Sequence, residues 1–147
     1  LVDRDDLLVL SDFAHHPTAI SGALRSLRAR WPEHRLVACF EPRSNTAVTN
    51  VFQDAFTKAL GEADEILLGE IHRAERIDPA DRLDGQAMIL KLREQGRAAE
   101  VFHSNQALGE SLLSHDFESE GKTLLVFLSN GSFDGVIGKV ASQFLEK

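Results

Sequence analysis

The feature that most constrains this chain is a rhythm: short apolar runs alternate with longer amphipathic stretches from one end to the other. Leu7 to Leu10, Arg35 to Phe40, Glu65 to Leu68, Ala99 to Phe102 and Thr123 to Leu128 are compact segments of strand length. Between them apolar residues recur at helical spacing. Pro17 suits a first helical turn, and Ile20, Leu24 and Leu27 follow, up to Trp31-Pro32. Val51, Phe52, Ala55, Phe56 and Ala59 mark one face of a helix over Thr49 to Leu60, with Gly61 placed to cap it. Further helices are expected over Gly85 to Glu94, Asn105 to Leu113 and Val136 to Leu145, with a turn over Asp3 to Asp6. Strands alternating with helices in this way form βαβ units, whose strands lie parallel and whose helices cover the sheet. The expected fold is α/β: a three-layer, Rossmann-like domain with a mostly parallel sheet of about five or six strands flanked by helices.

A length of 147 residues suits one domain spanning the whole chain. The formal net charge of −7 opposes general nucleic-acid binding, which needs clustered Lys and Arg. No apolar run approaches the length that crosses a bilayer and no secretory signal pattern opens the chain, so a cytoplasmic location is expected. Cys39 is the single cysteine, which excludes an intrachain disulfide; inside the run Leu36 to Phe40 it is expected to be a buried structural thiol. The first residue is Leu1, not Met, and a strand-like segment follows almost at once. The chain is therefore expected to be a piece of a longer protein.

In an open parallel sheet, ligand-binding groups gather on the loops that leave the carboxyl ends of the strands. Three loops stand out. The first, Ser11 to Thr18, holds Asp12, Phe13, His15 and His16. Asp12 suits ribose hydroxyls and Phe13 an adenine face, or Asp12 and Thr18 cap the next helix. Adjacent histidines in a tight loop diverge, so no metal site is expected here. The second, Glu41 to Thr49, sets Arg43 beside Ser44, Asn45 and Thr46. A guanidinium fork matches a carboxylate or phosphate, which favours anion binding over a solvated turn; Thr46 or Thr49 is also placed to cap the next helix. The third, Ser129 to Gly135, has glycines that allow close backbone approach before a helix start, yet matches neither a P-loop nor a dinucleotide fingerprint. His34, His72, His103 and His115 are assigned surface or structural roles.

The segment Asp12-Phe13-Ala14-His15-His16-Pro17-Thr18 resembles the one that opens the C-terminal domain of the Mur ligases. Glu41-Pro42-Arg43-Ser44-Asn45-Thr46 is similar to the corresponding loop of the branch that recycles murein tripeptide. Ser129-Asn130-Gly131-Ser132-Phe133 resembles the family's late Ser-Asn-Gly-Gly-Phe segment. Ser11 and Ser132 depart from the pattern, standing where the nearest relatives carry Asp and Gly. The resemblance implies a lid domain lacking its N-terminal UDP-sugar domain and its central ATPase domain. The whole enzyme would use ATP and Mg2+, held mainly by the central domain, to join L-Ala-γ-D-Glu-meso-diaminopimelate to UDP-N-acetylmuramate through an acyl-phosphate. It further implies Asp12 and His15 at the catalytic centre, with Asp12, Phe13 and His16 toward the nucleotide. Arg43, Ser44, Asn45 and Thr46 would face the tripeptide, and Ser129, Asn130 and Phe133 would line the same cleft. Alone, the domain is expected to be inactive. The competing expectations are a free-standing nucleotide or small-anion module, a Mur ligase branch that takes a single amino acid, and a flavodoxin-like interaction domain.

Overall fold

Every residue of Thr123–Leu128 is buried, which requires a strand covered on both faces. In the computed structural model, which describes residues 1–44, 47–71 and 73–145, this strand lies inside a six-stranded sheet. The elements in chain order are β1 (Val2–Asp3), β2 (Leu7–Asp12), α1 (Pro17–Arg30), β3 (Arg35–Phe40), α2 (Gln53–Leu60) and β4 (Glu65–Leu68). They continue with α3 (Gly85–Glu94), β5 (Ala98–Val101), α4 (Asn105–Leu113), β6 (Thr123–Leu128) and α5 (Val136–Leu145). The sheet order is β1-β2-β6-β3-β4-β5, parallel throughout except for β1.

The two-residue period of a strand sorts the core into two halves. Leu124, Val126 and Leu128 of β6 join Leu36, Ala38 and Phe40 under the apolar stripes of α1, α2 and α3. Leu125 and Phe127 face the other way, with Val37 and Cys39, under α4 and α5. That alternation is the three-layer α/β architecture expected from the sequence. Cys39 is fully buried, and burial pushes its thiol pKa well up, so it behaves as a core residue and not as a nucleophile.

Two segments differ from expectation. Val2–Asp3 pairs antiparallel with β2, so the stretch read as a turn begins with a short edge strand. Helix α2 begins at Gln53 and not at Thr49. The Asn50 amide donates to the Asp81 carbonyl at 2.9 Å and Thr49 bridges to Arg82, which keeps these two residues out of the helix, and Val51 and Phe52 form a turn ahead of it. Val51 and Phe52, assigned to the buried helical face, are consequently exposed by 73% and 36%.

Candidate functional site

Parallel pairing in register brings the strand ends to one rim. Asp12 of β2 and Phe40 of β3 both lie beside Leu128 of β6. Just beyond, the Ser129 amide donates to the Asp12 carbonyl at 3.2 Å and the Glu41 amide to the Leu128 carbonyl at 3.1 Å. The three loops singled out from the sequence therefore leave the sheet side by side.

On the β2 loop, Asp12 Oδ1 accepts a hydrogen bond from the Ala14 amide at 2.7 Å. The first residue ahead of α1 is His16, and no side chain caps that helix. Helix capping by Asp12 or Thr18 is thus not what the structure uses; Asp12 closes its own turn. His15 Nδ1 lies 2.8 Å from the Phe13 carbonyl. A carbonyl can only accept, so Nδ1 carries the proton and Nε2 is the ring nitrogen left for other partners. Phe13 is 76% exposed, while the His16 ring sits 5.5 Å from that of Phe52.

On the β3 loop the dominant feature is one the sequence reading passed over. Glu41 is buried, 1% exposed, and its carboxylate is held from two sides. Ser129 Oγ donates to Oε1 at 2.7 Å, and Asn105 Nδ2 donates to Oε2 at 2.7 Å. Arg43 Nη1 stands 3.8 Å from Oε2, beyond hydrogen-bond length, with its side chain 28% exposed. A carboxylate this deep is tolerated because donors and a cation replace the water it has lost. Arg43 also lies flat along the next loop: a Cβ on Gly131 would fall 2.6 Å from Arg43 Cδ and Nε. Gly131 is the residue that lets the arginine lie there. Ser44 Oγ accepts from the Ala47 amide at 3.1 Å, so it shapes its own loop. Asn45 and Thr46 lie outside the described residues.

The β6 loop is conformationally unusual. Phe133 and Asp134 both have φ near 54° and Gly135 has φ 84°, a run of left-handed backbone that costs energy at the two non-glycine residues. Phe133 is fully buried, its ring 5.4 Å from Phe127. Expected at the cleft, it instead anchors the turn in the core. Ser129 is likewise buried, accepting from the Gly131 amide at 2.9 Å while it donates to Glu41. Asn130 Oδ1 is shut off from solvent and meets no donor among the described residues.

Asn105 and Asp134 complete the rim. Asp134 is exposed and lines a cavity of about 320 Å³ with Glu70, Glu110 and Lys139, next to Asn105. Nothing in the sequence marks Asn105 beyond its place at a helix start. Among the described residues no group of three His, Cys, Asp or Glu side chains is gathered as a metal ion would need. No helix among them is long and apolar enough to cross a membrane.

The polar side chains of the three loops converge on this rim, the place where an open parallel α/β sheet gathers its ligand-binding groups. Residues 1–130 match the family model described as "Mur ligase, glutamate ligase domain", and the chain belongs to that family. It is 34% identical, over 90% of its length, to a UDP-N-acetylmuramate–L-alanine ligase of Bordetella petrii, of which it spans 28%. Among solved structures it superposes on a murein peptide ligase from Psychrobacter arcticus with TM-score 0.75 and 27% identity, covering 97% of this chain and 28% of that one. A domain assigned to a UDP-N-acetylmuramate:L-alanyl-γ-D-glutamyl-diaminopimelate ligase of Haemophilus ducreyi shares the fold, with TM-score 0.65 and 20% identity. The match covers 94% of this chain and 91% of that one, so this one fold accounts for nearly all of both.

Proposed function

We propose that the chain is the ligand-recognition and closing domain of an ATP-dependent Mur ligase whose acceptor is the tripeptide L-Ala-γ-D-Glu-meso-diaminopimelate. The observation that carries this is Arg43, laid over Gly131 on the strand-end rim with its carboxylate partner held back at 3.8 Å. A partly exposed guanidinium suits the several carboxylates of the tripeptide. Likeness to a murein peptide ligase over 97% of the chain supports the same choice.

In this reading ATP supplies the phosphoryl group that activates the lactyl carboxylate of UDP-N-acetylmuramate. The acceptor amine then attacks the acyl carbon, a C–N bond forms and phosphate leaves. Magnesium belongs with the domains outside this chain, and so does the P-loop. Here, Arg43 orients the peptide, and Ser44, Asn45 and Thr46 are assigned to bind it beside the arginine. On the nucleotide side, Asp12 receives the ribose hydroxyls, Phe13 packs on the adenine, and His15 and His16 border them. Closing these groups over the acyl-phosphate keeps water away and aligns the amine. ATP and a UDP-sugar place the reaction in the cytoplasm.

The identity to a UDP-N-acetylmuramate–L-alanine ligase favours a second reading, with L-alanine as acceptor. Phosphate release by the full-length protein, with each acceptor in turn, separates the two. A kcat/KM higher for tripeptide by a hundredfold or more is expected, since each lost charged contact costs on the order of tenfold. A preference for L-alanine would hand the assignment to the second reading. In the same assay Asp12→Ala should raise KM for ATP about tenfold while sparing the acceptor, the size of one hydrogen bond to a charged group. Full activity would leave Asp12 with its loop-closing role alone.

A further inference from the structure

Asn105 is 2% exposed and its carboxamide is used completely. Oδ1 accepts from the Glu70 amide at 3.0 Å, and Nδ2 donates to Glu41 Oε2 at 2.7 Å and Asp134 Oδ2 at 3.0 Å. The partners dictate which atom is which. A backbone N–H only donates and must face the oxygen; two carboxylates only accept and must share the nitrogen. An aspartate at this position would lose both donors and set a third carboxylate against the other two. Water is no substitute either, because the side chain is packed against backbone: a Cβ on Gly69 would lie 2.5 Å from Asn105 Oδ1.

Two groups therefore compete for one oxygen. Glu41 Oε2 is held by Asn105 at 2.7 Å and faced by Arg43 Nη1 at 3.8 Å. A closed arginine–carboxylate contact is about 2.7–2.9 Å long, so the arginine stands well back from its own carboxylate. We propose that Asn105 is a positioning residue for Arg43, acting through Glu41: by occupying this oxygen it keeps the guanidinium open to a carboxylate of the substrate. The inference rests on the reading of Arg43 as the acceptor-binding group. Asn105 touches no ligand itself. It is the first residue of α4, and Ser104 Oγ fixes that helix end by accepting from the Ala107 amide at 3.0 Å. Through Asn105 the loops after β3, β4 and β6 are tied to one rigid point.

Asn105→Asp removes the donor and adds charge, which draws Arg43 onto the carboxylates. In the full-length protein, KM for tripeptide should rise tenfold or more, with KM for ATP within about twofold and kcat nearly unchanged. Adding Glu41→Gln to Asn105→Asp restores a donor and an acceptor across the same gap, and the exposed Asp134 is free to swing aside. The double variant should recover a tripeptide KM within about threefold of the parent. A second measurement needs no substrate: phenylglyoxal labelling of Arg43 in the 147-residue chain, by peptide mass spectrometry, with Arg25 as internal reference. Labelling should slow severalfold in Asn105→Asp, recover in the double variant, and quicken in Glu41→Gln alone. Should Asn105→Asp not fold, Asn105→Ala, which removes the donor without adding charge, is read in its place: slower Arg43 labelling than in the parent is expected, and equal labelling overturns the proposal. Equal Arg43 labelling in the parent and in every folded variant overturns the proposal. Loss of both KM and kcat without rescue reduces Asn105 to a structural part and overturns it equally. If the parent ligates neither acceptor, the function above fails, while the labelling still judges Asn105.

Discussion

Arg43→Ala should raise KM for the tripeptide by about 10- to 100-fold in the full-length protein, because hydrogen bonds to charged groups contribute about 1.5–3 kcal/mol and each 1.4 kcal/mol is a factor of ten. The acceptor keeps its carboxylates through the reaction, so the contact is the same in ground and transition states and kcat should change little. KM for ATP should hold, since Arg43 leaves β3 while the groups assigned to the nucleotide leave β2. Arg43→Lys would retain the charge without the planar fork and should fall between parent and alanine variant. Gly131→Ala tests the same arginine from the opposite side. Its Cβ would occupy the space within 2.6 Å of Arg43 Cδ and Nε, so the arginine must move although its own codon is untouched. Steady-state kinetics with each substrate varied in turn gives all three answers. An unchanged tripeptide KM in Arg43→Ala would remove this residue from the acceptor site.

The fold was legible because its determinants are local and repeated. Thr123–Leu128 reads as a strand from six consecutive residues, and its burial on both faces follows from that run alone. The rim was legible too, since topology sends every parallel strand end the same way. What escaped was decided by long-range contacts. Val51 and Phe52 fit a helical face, yet hydrogen bonding of Asn50 to Asp81 withdraws the segment from α2. Phe133 sits among loop residues and looks available to a ligand. Its positive φ turns the ring into the core against Phe127 instead, a backbone choice that no periodicity announces. Glu41 and Asn105 are 64 residues apart in sequence and lie in different units of the repeat. A glutamate after a strand resembles any solvated rim residue until the partners that bury it are known.

Glu41→Ala should destabilise the 147-residue chain by about 2–5 kcal/mol, an effect large enough to threaten folding of a domain whose total stability is on the order of 5–15 kcal/mol. The carboxylate is 1% exposed and meets donors from Ser129 and Asn105, each at 2.7 Å. Its removal strands both donors where water does not easily reach, and leaves Arg43 without the carboxylate 3.8 Å away. The same atoms lost from Glu118 should matter far less. That side chain is 73% exposed, its ion pair with Arg4 spans 3.4 Å, and pairs of this kind contribute about 0–1 kcal/mol. Urea denaturation of the two variants against the parent makes the comparison, read as midpoint shifts at constant slope. Glu41→Gln should fall between them, because the amide keeps the volume and one acceptor but cannot satisfy two donors at once. A loss below about 1 kcal/mol for Glu41→Ala, equal to that of Glu118→Ala, would mean that water takes over the buried position. The hydrogen-bonded hub joining β3, α4 and β6 would then not be what holds the rim in place.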